Sequence, residues 1–473
     1  MKINNIKNTP NFTSMGIMSK ALYTLNNNDM LNASFVDIFA MDTPRTIVET
    51  KNRGKQAGIE MGFREYTGTF IAEFSAALFA VIASKFIAKK INPEVKVNSA
   101  SWITNNGLNV FSEIYEKSDK TLNGYLENIF NSLSGNVGNE IKDFSKIDKE
   151  KTKPIIEKLK GLITNHNIGK KESKDAINQI QDNIIKLFGA DNNIIIKGTN
   201  NNFVSSNLSH ALRDIVDSSK NIFFSGTRQN PNTILSKLKT MNNLRIGFAI
   251  PLSMGLAITN QYLNRYLTKR RTGISNFVGE NGYESNVMKQ NQKQKEKGLW
   301  WKKLLSAGIF IFMLTKVMGI KKPKEFIKKL EFDGPATSGN TIKTIYGTLI
   351  LGRIFASKDS TELRETNVRD YLGFLNWLVL GGFVAKGVGQ ALDPKQEKLF
   401  NISKRGKGIS NWLKNVSLKS QKEIIAQGGN VKSNLRKLNI AQMSGIAYSA
   451  VMLGILLPKL NIWMTRRNKN TEK

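Results

Sequence analysis

Residues 67–91 read TGTFIAEFSAALFAVIASKFIAKKI, and this stretch decides the fold class. From Gly68 to Ala88 the charged residues are Glu73 and Lys85 alone. A helix of that length crosses a bilayer, which takes about 20 apolar residues. Within it Gly68, Ala72, Ala76, Ala80, Ser84 and Ala88 recur at a spacing of four. Lipid supplies little hydrophobic force between helices, so a row of small residues that lets backbones approach marks a helix-packing face.

Five further apolar runs follow: Ile246–Tyr262, Leu304–Ile320, Thr344–Phe355, Tyr371–Ala385 and Met443–Trp463. Each of the six carries Lys or Arg at or just past its C-terminal end, for example Lys269 to Arg271, Lys386, and Arg466 with Arg467. The second run has two rows of mostly small residues, Gly247, Pro251, Gly255 and Thr259, and then Ala249, Ser253 and Ala257. It is the expected partner of the first run, in a hairpin, with Gly247, Pro251 and Gly255 at the contact and Pro251 as a kink. Trp300, Trp301 and Trp463 stand where interfacial anchors belong. The resulting expectation is an all-α fold: a helical integral membrane protein with a soluble helical-bundle insert between the first two apolar helices.

The cations qualify the number of crossings. Consecutive spanning helices end on alternate faces, so cations at every C-terminus make both faces positive, against the positive-inside rule. Cations at helix C-termini also complement the helix dipole and snorkel. Thr344–Phe355 is short and contains Arg353, which fits a re-entrant or in-plane helix.

On this basis the chain divides into a polar N-terminal region, 1–66; a membrane helix, 67–91; a soluble α-helical insert, 92–240; a membrane helix, 241–268; a basic linker, 269–303; apolar helices, membrane or re-entrant, 304–389; a basic polar segment, 390–442; and a membrane helix with a basic tail, 443–473. In the N-terminal region Thr43 and Pro44 read as the start of a helix that breaks near Gly54 and Gly58. The insert shows helical periodicity over Leu122 to Leu133, from Pro154 to Ile163, from a Ser173 cap to Phe188 with Gly189 as its stop, and over Leu208 to Val216. Its one strand-like piece is Ile194–Lys197.

The 473 residues include no Cys and only two His, His166 and His210. That excludes disulfides, thiolate sites and a His-rich metal site within one chain. The formal charge of +33 calls for an anionic surface. Most of that charge flanks the apolar runs, where anionic headgroups would meet it. No P-loop, HExxH, EF-hand loop or GxSxG elbow occurs, so neither enzyme activity nor a cofactor or metal is expected. The candidate ligand-binding residues are Glu73, an intramembrane carboxylate, Arg353 and Asn376. Asn376 suits a hydrogen bond between helices, and Arg353 suits an ion pair.

The functional expectation is a multi-helix membrane protein with a structural or interaction role. Its basic flanks would lie on the anionic headgroups of the lipid bilayer, and its 92–240 insert could offer a surface to a protein partner. One alternative is a transporter or channel using Glu73. The other is a basic peripheral or nucleic-acid-binding helical protein, disfavoured because the aromatics lie within apolar runs rather than on a basic face. The expected location is the membrane, taken as a bacterial cytoplasmic membrane.

Overall fold

The computed structural model describes residues 15–91, 101–165, 170–200, 202–224, 230–273, 298–404, 406 and 408–471. His166 and most of the 269–303 linker lie outside the described residues. The chain is mostly helical, as expected of an all-α fold, and forms two compact units. The first is built from residues 1–27, 84–243 and 386–442, the second from 28–83, 244–385 and 443–473.

In the first unit, helices begin where a polar side chain can accept an unpaired backbone N–H. Thr104 caps Asn105–Lys117, Thr121 caps Leu122–Asn131, Asp148 caps Lys149–Thr164 and Asn207 caps Leu208–Phe223. Pro154 therefore lies inside its helix rather than opening it, and Ser173 lies inside Lys170–Phe188 rather than capping it. Gly189 ends that helix at φ +86°, a left-handed conformation suited to glycine. The apolar faces meet in one core containing Phe111, Tyr125, Leu159, Ile184 and Leu212.

Ile194–Lys197 is not isolated. The helix from Leu122 stops at Asn131, and Leu133, on its expected apolar face, opens a strand instead. Strands β1 (Leu133–Val137), β2 (Glu140–Asp143), β3 (Ile194–Lys197) and β4 (Phe203–Ser206) form an antiparallel sheet in the order β2-β1-β3-β4. Leu133 faces Ile196 and Gly135 faces Ile194. Gly135 is required there, because a Cβ would lie 2.8 Å from Ala190 Cβ and 2.9 Å from the Phe188 ring.

The segment read as a basic polar stretch, 390–442, joins this unit through Glu423. That carboxylate accepts the backbone N–H of Asp191 at 2.9 Å, of Asn192 at 3.1 Å and of Ser420 at 2.7 Å, and Asn401 Nδ2 at 3.0 Å. Lys422 donates to Asp182 at 2.7 Å beside it. A buried carboxylate is tolerated only with such a set of donors.

In the second unit, Asp29–Phe35, a π-helical turn Val36–Asp42 and Thr43–Arg53 run in succession. Thr43 is therefore not an N-cap; its hydroxyl donates to the Ile38 carbonyl at 2.7 Å. The expected break falls at Gly54, φ +93°, and not at Gly58, which is helical. Lys55–Thr69 continues through a second π-helical turn, Phe70–Ser75, into Ala76–Ile91. The first and second apolar runs meet there: Ser75 Oγ donates to Ser253 Oγ at 2.7 Å, and Thr67 Oγ1 to Asn260 at 3.0 Å.

Ala72, Ala76 and Ala80 are fully buried, in keeping with a packing row. On the helix Pro231–Thr272 the buried row is Ala249, Ser253 and Ala257, whereas Gly247, Pro251 and Gly255 are exposed. The expected contact through those three residues is thus replaced by the neighbouring row. Rows offset by two residues lie about 200° apart on an α-helix, so only one can face a partner.

The short run Thr344–Phe355 sits in the helix Gly339–Ala356, most of whose side chains are buried. It is apolar because other helices surround it, a different cause from the in-plane placement expected of it. Gly352 lets it touch the second run: a Cβ there would lie 2.8 Å from the Ile258 carbonyl oxygen. Among the described residues two helices are long and apolar enough to cross a membrane, Lys55–Ala88 and Val431–Arg467, with 44% and 33% of their apolar stretches buried. The other four runs do not meet that test.

Helix propensity alone makes Gly→Ala in a helix interior stabilising by up to about 1 kcal/mol. Gly247→Ala, where a Cβ meets nothing within 4 Å, should follow that rule. Gly352→Ala should instead destabilise by about 1–3 kcal/mol through overpacking. Thermal unfolding of the two variants side by side checks the sign of each.

Candidate functional site

Glu65 lies inside the second unit, at the centre of four arginines. Its carboxylate is 3.6 Å from Arg45 Nη1, 3.3 Å from Arg64 Nε and 3.3 Å from Arg353 Nη2. Arg353 also reaches Asp370 at 3.2 Å, and Arg369 Nε reaches the same carboxylate at 2.7 Å. All six side chains are buried. They come from four separate stretches of helix, Thr43–Arg53, Lys55–Thr69, Gly339–Ala356 and Ser360–Leu375. Arg45 Nε additionally donates to the Leu453 carbonyl at 2.9 Å, which ties in a fifth.

An isolated buried charge costs several kcal/mol, so these groups persist only because each guanidinium fork finds an anion. Arginine suits the task better than lysine, since its planar fork serves two acceptors at once, as Arg353 does with Glu65 and Asp370. Four arginines against two carboxylates leave this cluster cationic. Beside it lie three buried acids, Asp37, Asp42 and Glu73. Asp37 neighbours Glu73, with Arg45 as its nearby cation. Asp42 accepts the Thr69 hydroxyl at 2.7 Å. Among the described residues no ion pair reaches any of the three acids. Asp37 and Glu73 both sit in π-helical turns, Val36–Asp42 and Phe70–Ser75, where the widened helix redirects side chains.

The three expected residues fall in different places. Glu73 is buried beside Asp37. Arg353 is an ion-pairing residue of the cluster. Asn376 lies apart from both: it accepts the Tyr448 hydroxyl at 2.7 Å and donates to the Leu372 carbonyl at 2.7 Å, bridging two helices. Arg64 and Glu65, just ahead of the first apolar run, are interior. Arg45, Asp37, Arg369 and Asp370 went unrecognised as site residues. Their one local signal is an acid or arginine beside small or apolar residues at helical spacing, which solvated helices share.

The chain matches no protein family model, no curated protein and no solved structure. Its chemistry therefore rests on the geometry alone. The cluster can lock helices together, and the acids can hold protons. Among the described residues no three His, Asp or Glu side chains are placed to hold a metal ion.

Glu65→Gln removes the anion shared by three arginines and leaves Asp370 as the one carboxylate of the cluster. Breaking one partner of a buried pair costs about 3–5 kcal/mol, so the variant should lose that much stability. Chemical or thermal unfolding measures it, with Glu157→Gln, at an exposed carboxylate in the first unit, as the low-cost comparison.

Proposed function

We propose that the second unit is a membrane-embedded, multi-pass helical body and that the protein has a structural or interaction role at the membrane. In this reading the first unit is the module offered to protein partners, and basic flanks rest on anionic lipid. One observation carries it: several helices of the second unit bury rows of small residues while large apolar side chains of the same helices face outward. Ala72, Ala76 and Ala80 are buried while Phe70 and Leu78 are 54% and 49% exposed. Likewise Ala249, Ser253 and Ala257 are buried while Phe248, Leu252 and Leu256 are exposed, and Leu305 and Phe312 are exposed at 68% and 61%. A water-soluble helix has the reverse pattern, and exposed apolar area on this scale marks a surface for lipid or protein.

Carbonate washing of membranes from cells expressing the full chain tests this reading. The protein should stay in the pellet, and quantitative release into the supernatant would overturn it.

A second reading has its own observation, the adjacent buried carboxyl groups of Asp37 and Glu73 inside an apolar helical body. Intramembrane acids of this kind serve proton or cation movement. Reconstituted protein should then conduct protons or cations, with the flux lost in Glu73→Gln and Asp37→Asn. Flux absent from the wild type, or equal in both variants, would contradict transport and leave the structural role.

A further inference from the structure

One end of the second unit is gathered by a chain of polar contacts. Arg53 pairs with Glu365 at 2.6 Å, and Arg466 donates to the Asn52 carbonyl at 3.0 Å. Arg265 pairs with Glu362, and Arg271 reaches the Gln56 carbonyl at 3.5 Å. Lys302 donates to Ser360 at 2.8 Å, and Lys303 to the Phe355 carbonyl at 2.9 Å. The helices beginning at Lys55, Leu299 and Ser360 start at this end, and those finishing at Thr272, Ala356 and Thr471 stop there.

Charge is sorted by depth at this end. Its acids, Glu49, Asp359, Glu362 and Glu365, are buried. Its exposed cations include Lys269, Arg270, Arg271, Lys302, Arg466 and Arg467. Among the described residues, exposed charge at this end is therefore predominantly positive. Helix dipoles do not account for all of it. Cations at Thr272 and Thr471 complement helix C-termini, but Lys302 lies in the first turn of Leu299–Val317, where the dipole opposes a cation. Trp300, Trp301 and Trp463, at 59%, 73% and 54% exposure, ring the same surface. Indole beside a cation is the composition of a headgroup boundary, and Arg467 stacks over the Trp463 ring at 5.4 Å.

We infer that this end of the second unit binds anionic phospholipid headgroups, the phosphates meeting these exposed cations and the indoles lying at the acyl boundary. The inference rests on the proposal that this unit is membrane-embedded, and it adds which surface selects lipid by charge.

The test uses the full chain in a neutral detergent, titrated with phosphatidylglycerol or phosphatidylcholine, with the unfolding midpoint and lipid binding as readouts. Phosphatidylglycerol should bind more tightly and raise the midpoint more. A variant carrying K269Q, R270Q, R271Q, K302Q, R466Q and R467Q should bind phosphatidylglycerol about tenfold more weakly or worse, since each cation at an anionic surface contributes on the order of 1 kcal/mol. Its phosphatidylcholine binding and helical content should not change. Equal affinity for the two lipids, or an unchanged variant, overturns the inference. So does tight, salt-dependent binding of an RNA oligonucleotide that this variant loses and phosphatidylglycerol fails to displace. Carbonate release combined with retained phosphatidylglycerol selectivity would sink the embedded reading and leave headgroup binding standing.

Discussion

The second unit depends on the attraction between Glu65 and the guanidinium groups of Arg45, Arg64 and Arg353. Charges taken out of water must be matched within a few ångströms or the segments carrying them cannot pack. Residues more than 280 positions apart therefore have to meet: Arg353 can be buried only once Glu65 and Asp370 are in place. The same requirement sets helix approach. Gly68 admits the Arg353 guanidinium, 3.3 Å from where its Cβ would be, and Gly352 brings its helix against the Ile258 carbonyl. Small residues and buried ion pairs are thus two parts of one packing solution.

The outer face of this unit departs from that of a soluble protein. The interior holds ion pairs and alanine rows alongside apolar side chains such as Phe310, Ile345 and Phe374, and the outside carries further Phe, Leu, Ile and Trp. In water the exposed apolar rows would favour aggregation, and in lipid they are at their most stable. The first unit follows the ordinary order. Phe111, Tyr125 and Leu212 are buried, and its charged residues are mostly exposed apart from supported groups such as Glu423 and Asp191. Two kinds of outer face within one chain are what two different solvents would impose.

Much of this was legible in the sequence. The first run showed its small-residue row because period four is a property of the helix itself, whereas the starts expected at Thr43 and Ser173 fall within continuous helix. The choice between the rows at Gly247 and Ala249 was not legible, because it depends on which face meets Ser75. The strand at Leu133 escaped for a similar reason: its partner Ile196 lies more than 60 residues away. The arginine cluster was hardest to see. Arg353 stood out inside an apolar run, but Arg45, Arg64 and Arg369 resemble any other cation among the 70 Lys and Arg until the helices are assembled.

The account's central claim is that the outward apolar faces of the second unit lie in hydrocarbon. The chain has no cysteine, so single substitutions Leu256→Cys and Leu305→Cys can each carry one nitroxide label. Spin relaxation in reconstituted bilayers, by oxygen against a water-soluble nickel chelate, then reports the surroundings directly. The account predicts high oxygen and low nickel accessibility at both positions, with the reverse at Lys302→Cys. Nickel access at Leu256 and Leu305 equal to that at Lys302 would contradict it.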